Sequence, residues 1–421
     1  MIGRAGNMKI AIFLNSLESG GTEKAACRWA RGLKKRNHDV TVLALADGPR
    51  RAELEAAGVP LKVIHCEAQA IAAGLREAAP EVIHAHVPGQ PQPGDVLGDA
   101  FKLLPKIPVV QTNVFGRLEN PREDAWTDFR LFVSWTSCVQ AARRSYRKLD
   151  GNFFRRASVA VYPLDPAESP AAAETAVFRR QLGVADDEVL FGRLSRPDPV
   201  KWTNLALAAF QKALQKNRKL KLLLREPPPA VAEKLRASPD ARHFIILPVT
   251  PDAGELRRTV SALDVVLHTS HLGESFGYGL AEPMSLGRPA ITHSVPWYDQ
   301  AQIELAKHGE CGFVASTPAA MAEAILKLAG DAGLRARMGA QARAHIRTLA
   351  NPDTSVARLE AILLSAVERR DNPFAAEDLM RARTAAAYLD AHQFGHNWLE
   401  GLTLYPFYYY TRFHEFRNRH R

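Results

Sequence analysis

The stretch "IAIFLNSLESGGTEKAACRWARGLKKRNHDVTVLAL", Ile10 to Leu45, changes its hydrophobic period twice. The apolar run Ile10 to Leu14 reads as a buried strand. A loop containing Gly20-Gly21 follows, and an amphipathic helix begins near Thr22. Val40 to Leu45 then returns to β-branched and aliphatic residues, a second strand. A strand, a turn, a helix and a strand of this length make one crossover unit, which joins parallel strands.

Outward from that unit the rhythm continues. "PLKVIH", "EVIHAH" and "PVVQTN" supply further short strands. A Pro- and Ala-rich segment, "YPLDPAESPAAAETA", interrupts the pattern and reads as an interdomain connection. Beyond it "EVLFGRL", "LKLLL", "HFIILP", "DVVLHTS" and "PAITHS" read as strands. "TNLALAAFQKALQKN", "VAEKLRAS" and "AAMAEAILKLAG" read as helices. In "NPDTSVARLEAILLSAVERR", Asn351 is the expected cap and Pro352 the first helical residue. Two successive parallel α/β units predict two Rossmann-like domains facing across a cleft, with ligands at the carboxyl ends of the strands. The expected division is 1–165, 166–355 and a C-terminal region 356–421, whose helix packs back on the first domain.

Totals agree with this plan. A chain of 421 residues exceeds one ordinary core and fits two domains. At 46% hydrophobic and 24% charged residues it has the composition of a soluble globular protein. No apolar run reaches the length of a membrane span, and no secretory leader is read ahead of "MKIAIFLN". Cys27, Cys66, Cys138 and Cys311 lie far apart, without metal-ligand or disulfide spacing, and read as buried thiols in a reducing cytosol. The net charge of +10 suits an anionic partner: a nucleotide, a nucleic acid or a lipid surface.

Three places carry chemistry. Backbone N–H groups at Gly20 and Gly21, together with the helix dipole, favour a phosphate, although the same residues also serve as an ordinary turn. The full dinucleotide fingerprint is absent. In "GRLSRPDPVKW", Arg193, Arg196 and Lys201 follow a strand end, where fixed cations could neutralise a diphosphate. A solvated basic loop has the same composition. In "GESFGYGLAEPMSLGRPA", Glu274 precedes a helix ending at Gly287, and Glu282 lies about two turns in. Eight residues of helix rise about 12 Å. A glycosidase pair needs about 5–9.5 Å, so these acids fit two grips on one extended ligand better.

These residues resemble family 4 of the retaining glycosyltransferases, which have the GT-B fold. Glu274, seven intervening residues and Glu282 match the family signature. The likeness runs over roughly 8–370 and includes "SGGTEKAA", "VIHAH", "TNVFGR" and "HTSHLGESFGYGLAEPMSLGRPAITHSVPWYDQAQIE". It implies metal-independent transfer from a sugar nucleotide, UDP- or GDP-linked, with retention at the anomeric carbon and no further cofactor. Glu274 would grip the sugar hydroxyls and Glu282 the ribose. Arg193 and Lys201 would stabilise the leaving diphosphate. The amides around Phe276-Gly277 would hold sugar and phosphate, and Gly20-Gly21 would approach from the other domain. The base would sit at "LPVT", near Leu247 and Val249.

Departures from the family pattern are equally visible. "RLSRPDPVK" is longer than the compact Arg–Lys motif, so Arg193 or Arg196 could be the clamp; Arg193 is nearer the strand end. Asn113 stands where many members have His. "REPPPA" replaces a glycine pair, and Gln300 in "DQAQIE" replaces Asn. His86 is the candidate on the acceptor side with Asn113, while His84 reads as a packed histidine.

Past Arg370, "LTLYPFYYYTRFHEFRNRHR" mixes seven aromatics with Arg412, Arg417, Arg419 and Arg421. It reads either as an extension packing on the enzyme or as a surface for an anionic membrane holding a lipid-linked acceptor. The expectation is thus a cytoplasmic enzyme, peripheral at the inner face of the membrane, that glycosylates a glycan or lipid-linked acceptor in cell-envelope polysaccharide or lipopolysaccharide synthesis. A sugar-nucleotide epimerase and a non-catalytic binding subunit are the competing readings. Nucleic acid is not an expected partner.

Overall fold

The computed structural model describes residues 6–87, 94–118, 120–166, 168–194, 201–250 and 252–395, with 401, 402, 404, 406 and 409. Two units cohere separately: 1–165 with 350–386, and 166–349 with 387–421.

The first unit carries β1 (Lys9–Leu14), β2 (Asp39–Ala44), β3 (Leu61–Val63), β4 (Val82–Val87), β5 (Val109–Asn113), β6 (Phe129–Phe132) and β7 (Ala157–Val159). They form one parallel sheet in the order β3-β2-β1-β4-β5-β6-β7. The opening stretch forms as read, with its helix at Gly21–Lys35. Strands β6 and β7 were not read from the sequence. Both are short and follow irregular segments, so neither shows a strong period. Alternation along β4 divides its side chains: Ile83, Ala85 and Val87 join an aliphatic cluster with Phe13, Ile71 and Leu75. His84 and His86 face the other layer, against Trp29 of the first helix.

Chain from beyond the second unit completes that layer. The helix Pro352–Val367 begins as its sequence dictates, with the Asn351 side chain accepting from the Thr354 N–H at 2.9 Å. Trp29 Nε1 donates to Ser355 Oγ at 2.8 Å, and Ser355 in turn donates to the Val161 carbonyl. Both groups are buried and satisfied, which fixes this helix against Gly21–Lys35.

In the second unit β8 (Val189–Leu194), β9 (Leu220–Arg225), β10 (Phe244–Leu247) and β11 (Val265–Leu267) join two strands further along the chain. A two-residue strand, β12 (Gly273–Glu274), precedes β13 (Ala290–Thr292). A second scrap, β14 (Asp299–Gln300), precedes β15 (Gly312–Val314). The main sheet is parallel, in the order β10-β9-β8-β11-β13-β15. Phe191, Leu222, Leu224 and Ile291 pack on one face, and Leu190, Leu194, Leu223 and Leu263 on the other. Burial on both faces is what near-continuous apolar strands require. Each main sheet reverses direction beside its first strand, at β1/β4 and at β8/β11. Ligands of open parallel sheets bind at the carboxyl ends beside such a reversal.

Three thiols are buried as expected, but Cys66 is exposed. It lies just after β3, an edge strand too short to carry a covering layer. Among the described residues, no helix is long and apolar enough to cross a membrane. The aromatic and basic tail lies outside the described residues, apart from isolated positions such as Tyr409.

Candidate active site

The reversal in the second unit gathers most of the residues singled out above. Arg193 is the last residue but one of β8, with its side chain following Val189 and Phe191 toward the helix Leu205–Leu214. Its guanidinium carbon lies 4.0 Å over the Trp202 ring, and Nη2 donates to the Thr269 carbonyl at 3.0 Å. The side chain is buried, which lowers its pKa to about 10 against the pull of Glu274, so it stays cationic at neutral pH. Arg196 lies outside the described residues.

Lys201 reaches the same place from the loop after β8. Its Nζ is 3.4 Å from Oε1 and from Oε2 of Glu274. His268, the first residue beyond β11, places Nε2 3.3 Å from Glu274 Oε1. Burial pushes the Glu274 carboxyl up, but Lys201 and then His268 outweigh it and bring the pKa to about 2. The carboxylate is therefore a fixed anion, suited to accept hydrogen bonds from hydroxyls and unsuited to carry a proton in catalysis at neutral pH.

Glu274 sits in β12, which pairs with β14 in a two-stranded sheet of its own among the described residues. Gly273 makes this possible. It has φ +64°, and a Cβ there would stand 1.9 Å from the Asp299 carbonyl oxygen. Gly277, at φ +92°, then turns the chain into the helix Tyr278–Ser285. Phe276 is buried with its ring edge-on to Tyr278. The helix starts where the sequence places it and ends at Ser285, two residues before the expected Gly287. Counted from Tyr278, Glu282 lies just over one turn in, half-buried, where two turns were expected.

The base-side residues are less enclosed. Leu247 ends β10, and its carbonyl accepts from the Glu226 amide at 2.8 Å. Arg225 donates to the Pro248 carbonyl, while Val249 is 57% exposed. Glu226 itself holds φ +50°, a conformation that favours glycine, at the point where "REPPPA" departs from the family pattern.

In the first unit Gly20 caps the helix after β1 with extended backbone, and Gly21 opens it. His84 and His86 are fully buried and held neutral by burial, His84 with a pKa of about 3. His84 Nε2 meets Thr112 Oγ1 at 2.7 Å, the packed, hydrogen-bonded histidine expected. Neither ring nitrogen of His86 has a hydrogen-bond partner among the described residues. Asn113 is committed to its own turn: Oδ1 accepts from the Arg117 amide at 2.7 Å, and Nδ2 donates to the Arg117 carbonyl. That leaves it a shaping role in the loop after β5.

Trp202, His268 and Gln302 were not singled out from the sequence. Trp202 directly follows Lys201, and Gln302 stands inside the quoted "DQAQIE". Their spacing carries no signature.

Two family models match in succession. Residues 20–182 match the glycosyl transferase 4-like domain, and residues 174–345 match glycosyl transferases group 1. The chain is built of two glycosyltransferase domains. Solved structures agree on the GT-B fold of this glycosyltransferase. Anabaena HepE in complex with UDP and glucose is 19% identical, covering 85% of this chain and all of that one, with TM-score 0.67. A glycosyltransferase from Rickettsia africae is 15% identical over 86% of this chain and 99% of that one, with TM-score 0.72. WaaG, a glycosyltransferase involved in lipopolysaccharide biosynthesis, is 14% identical over 84% and 99%, with TM-score 0.61. No curated protein matches the sequence of this glycosyltransferase.

Proposed function

We propose that this glycosyltransferase moves a sugar from a nucleotide donor to a glycan or lipid-linked acceptor, with retention at the anomeric carbon and without a metal. The observation that carries the reading is the joining of Arg193, Lys201 and Glu274 at the sheet reversal of the second unit. Two cations beside one fixed carboxylate suit a ligand with a diphosphate next to a hydroxylated ring.

In this reading Glu274 accepts hydrogen bonds from the donor sugar, and Glu282 grips the ribose. The amides at Phe276 and Gly277 flank the phosphate, and the base lies by Leu247 and Val249. The acceptor hydroxyl attacks C1 on the face from which the diphosphate departs. The C1–O bond to phosphate breaks with its electron pair on the phosphate oxygen. That oxygen takes the hydroxyl proton as the new C1–O bond forms. Arg193 and Lys201 meet the charge gathering on the diphosphate, the work a metal performs elsewhere. His86 is the candidate on the acceptor side. UDP in the HepE complex favours a UDP-sugar, and the involvement of WaaG in lipopolysaccharide synthesis favours an envelope acceptor at the inner face of the membrane.

The test is a thermal-shift screen with UDP-, GDP- and ADP-sugars, followed by transfer assays with the stabilising donor in the presence of EDTA. A donor-specific shift, acceptor-dependent release of nucleoside diphosphate and a product of unchanged anomeric configuration are expected. Interconversion of sugar nucleotides without acceptor would instead mark an epimerase, and loss of activity on chelation would remove the metal-free mechanism.

A further inference from the structure

Glu274 stands on a two-residue strand outside the main sheet, so the sheet does not fix its orientation. A closed circuit of side-chain hydrogen bonds does. The Glu274 amide donates to Gln302 Oε1 at 2.9 Å, and Gln302 Nε2 donates to the His293 carbonyl at 3.2 Å. His293 Nε2 lies 3.1 Å from the Ser270 amide nitrogen and 3.0 Å from the Ser270 carbonyl oxygen. Ser270 Oγ donates to the Gly273 carbonyl at 3.0 Å and returns the circuit to the strand. Burial holds the His293 ring neutral, with a pKa of about 3, so the circuit carries no titrating charge at neutral pH. Gln302 has no exposed surface, and Ser270 has almost none.

We infer that Gln302 is a positioning residue for the donor sugar: its side-chain amide, bridging the Glu274 and His293 backbones, sets the carboxylate that grips the sugar. The amide is the right group for this work. It offers one acceptor and one donor at opposite edges of a plane, and the two backbone groups it joins are of opposite kind. The circuit ties the ends of β11 and β13 to Glu274, so rigid sheet strands locate a residue that stands apart from their sheet. Displacing a gripping group by about 1 Å can cost about 10²-fold in rate, because the gain comes only at the productive geometry. The circuit meets the diphosphate cations through the Glu274 carboxylate, which lies 3.4 Å from Lys201 Nζ.

This inference rests on the transferase reading, and the experiment separates the two. Gln302→Met keeps the length and removes both hydrogen bonds. The expected result is a kcat about 10²-fold lower with unchanged affinity for the nucleoside diphosphate, in a folded protein whose melting temperature falls by the cost of the two buried groups left without their partner. Ser270→Ala opens the circuit from the other side with a smaller packing change, and it decides the matter if Gln302→Met fails to fold. Its expected effect is the same split, smaller in size. A wild-type rate in the folded variant would overturn the positioning role. So would parallel loss of rate and diphosphate affinity, which marks collapse of the whole site. A wild-type protein that transfers no sugar from any donor overturns the transferase reading itself, before any variant is compared.

Discussion

Lys201 Nζ stands equidistant from the two carboxylate oxygens of Glu274, at 3.4 Å from each, with the Glu274 side chain 15% exposed. The ammonium thus acts on the whole carboxylate, and it does so where water screens it weakly.

Removing that cation has a calculable direction. Burial raises the Glu274 pKa; Lys201 and His268 together bring it from an ordinary 4.5 to about 2. A depressed folded pKa stabilises the native state above about pH 4.5, and that contribution drains away as pH falls toward 2. In Lys201→Met the burial effect loses its main opponent, and the carboxyl protonates at higher pH. The acid limb of the kcat profile is expected to move up by about one pH unit or more, with kcat lower throughout. A limb that stays in place would show that Glu274 is not the group observed.

Arg193 depends on its stacking partner. Trp202→Ala takes away the ring 4.0 Å beneath the guanidinium, an interaction worth about 1–2 kcal/mol at a desolvated site. Affinity for the nucleoside diphosphate, measured by calorimetry, should weaken about tenfold. Trp202→Phe should restore much of it, since a phenyl face still attracts the cation.

Gly273 tolerates no side chain. Gly273→Ala would hold alanine at φ +64° and press its Cβ toward the Asp299 carbonyl. The left-handed conformation alone costs about 1–2 kcal/mol, and the displaced backbone adds to it. Thermal unfolding should show a lower midpoint, accompanied by loss of transfer, because β12 carries Glu274.

The four thiols should separate cleanly. Cys66 is exposed, whereas burial raises the Cys27 pKa to about 12 and that of Cys311 to about 11, and Cys138 has no exposed surface. A disulfide reagent such as Ellman's is expected to label one thiol rapidly in the native protein and all four after denaturation. Cys66→Ser should abolish the rapid phase.

The sequence by itself determined the two parallel α/β units, the placement of most strands, the Asn351 cap and the short list of charged residues that matter. Those features are local: a hydrophobic period, a capping side chain or a strand-end cation is written within a few neighbouring residues. Strands β6 and β7 escaped, since three or four residues cannot show a period, and the Glu282 helix stops at Ser285, short of the expected Gly287. Tertiary structure alone decided that Trp202 lies under Arg193, that His268 and Lys201 share one carboxylate, and that Gln302 holds Glu274 in place. Lys201 and Gln302 reach Glu274 from 73 and 28 residues away in the chain, and even the nearer pairs, Arg193 with Trp202 and His268 with Glu274, meet only once the chain has turned beyond its strands. Burial then sets their charge states, and burial belongs to the packed assembly of strands rather than to any one of them.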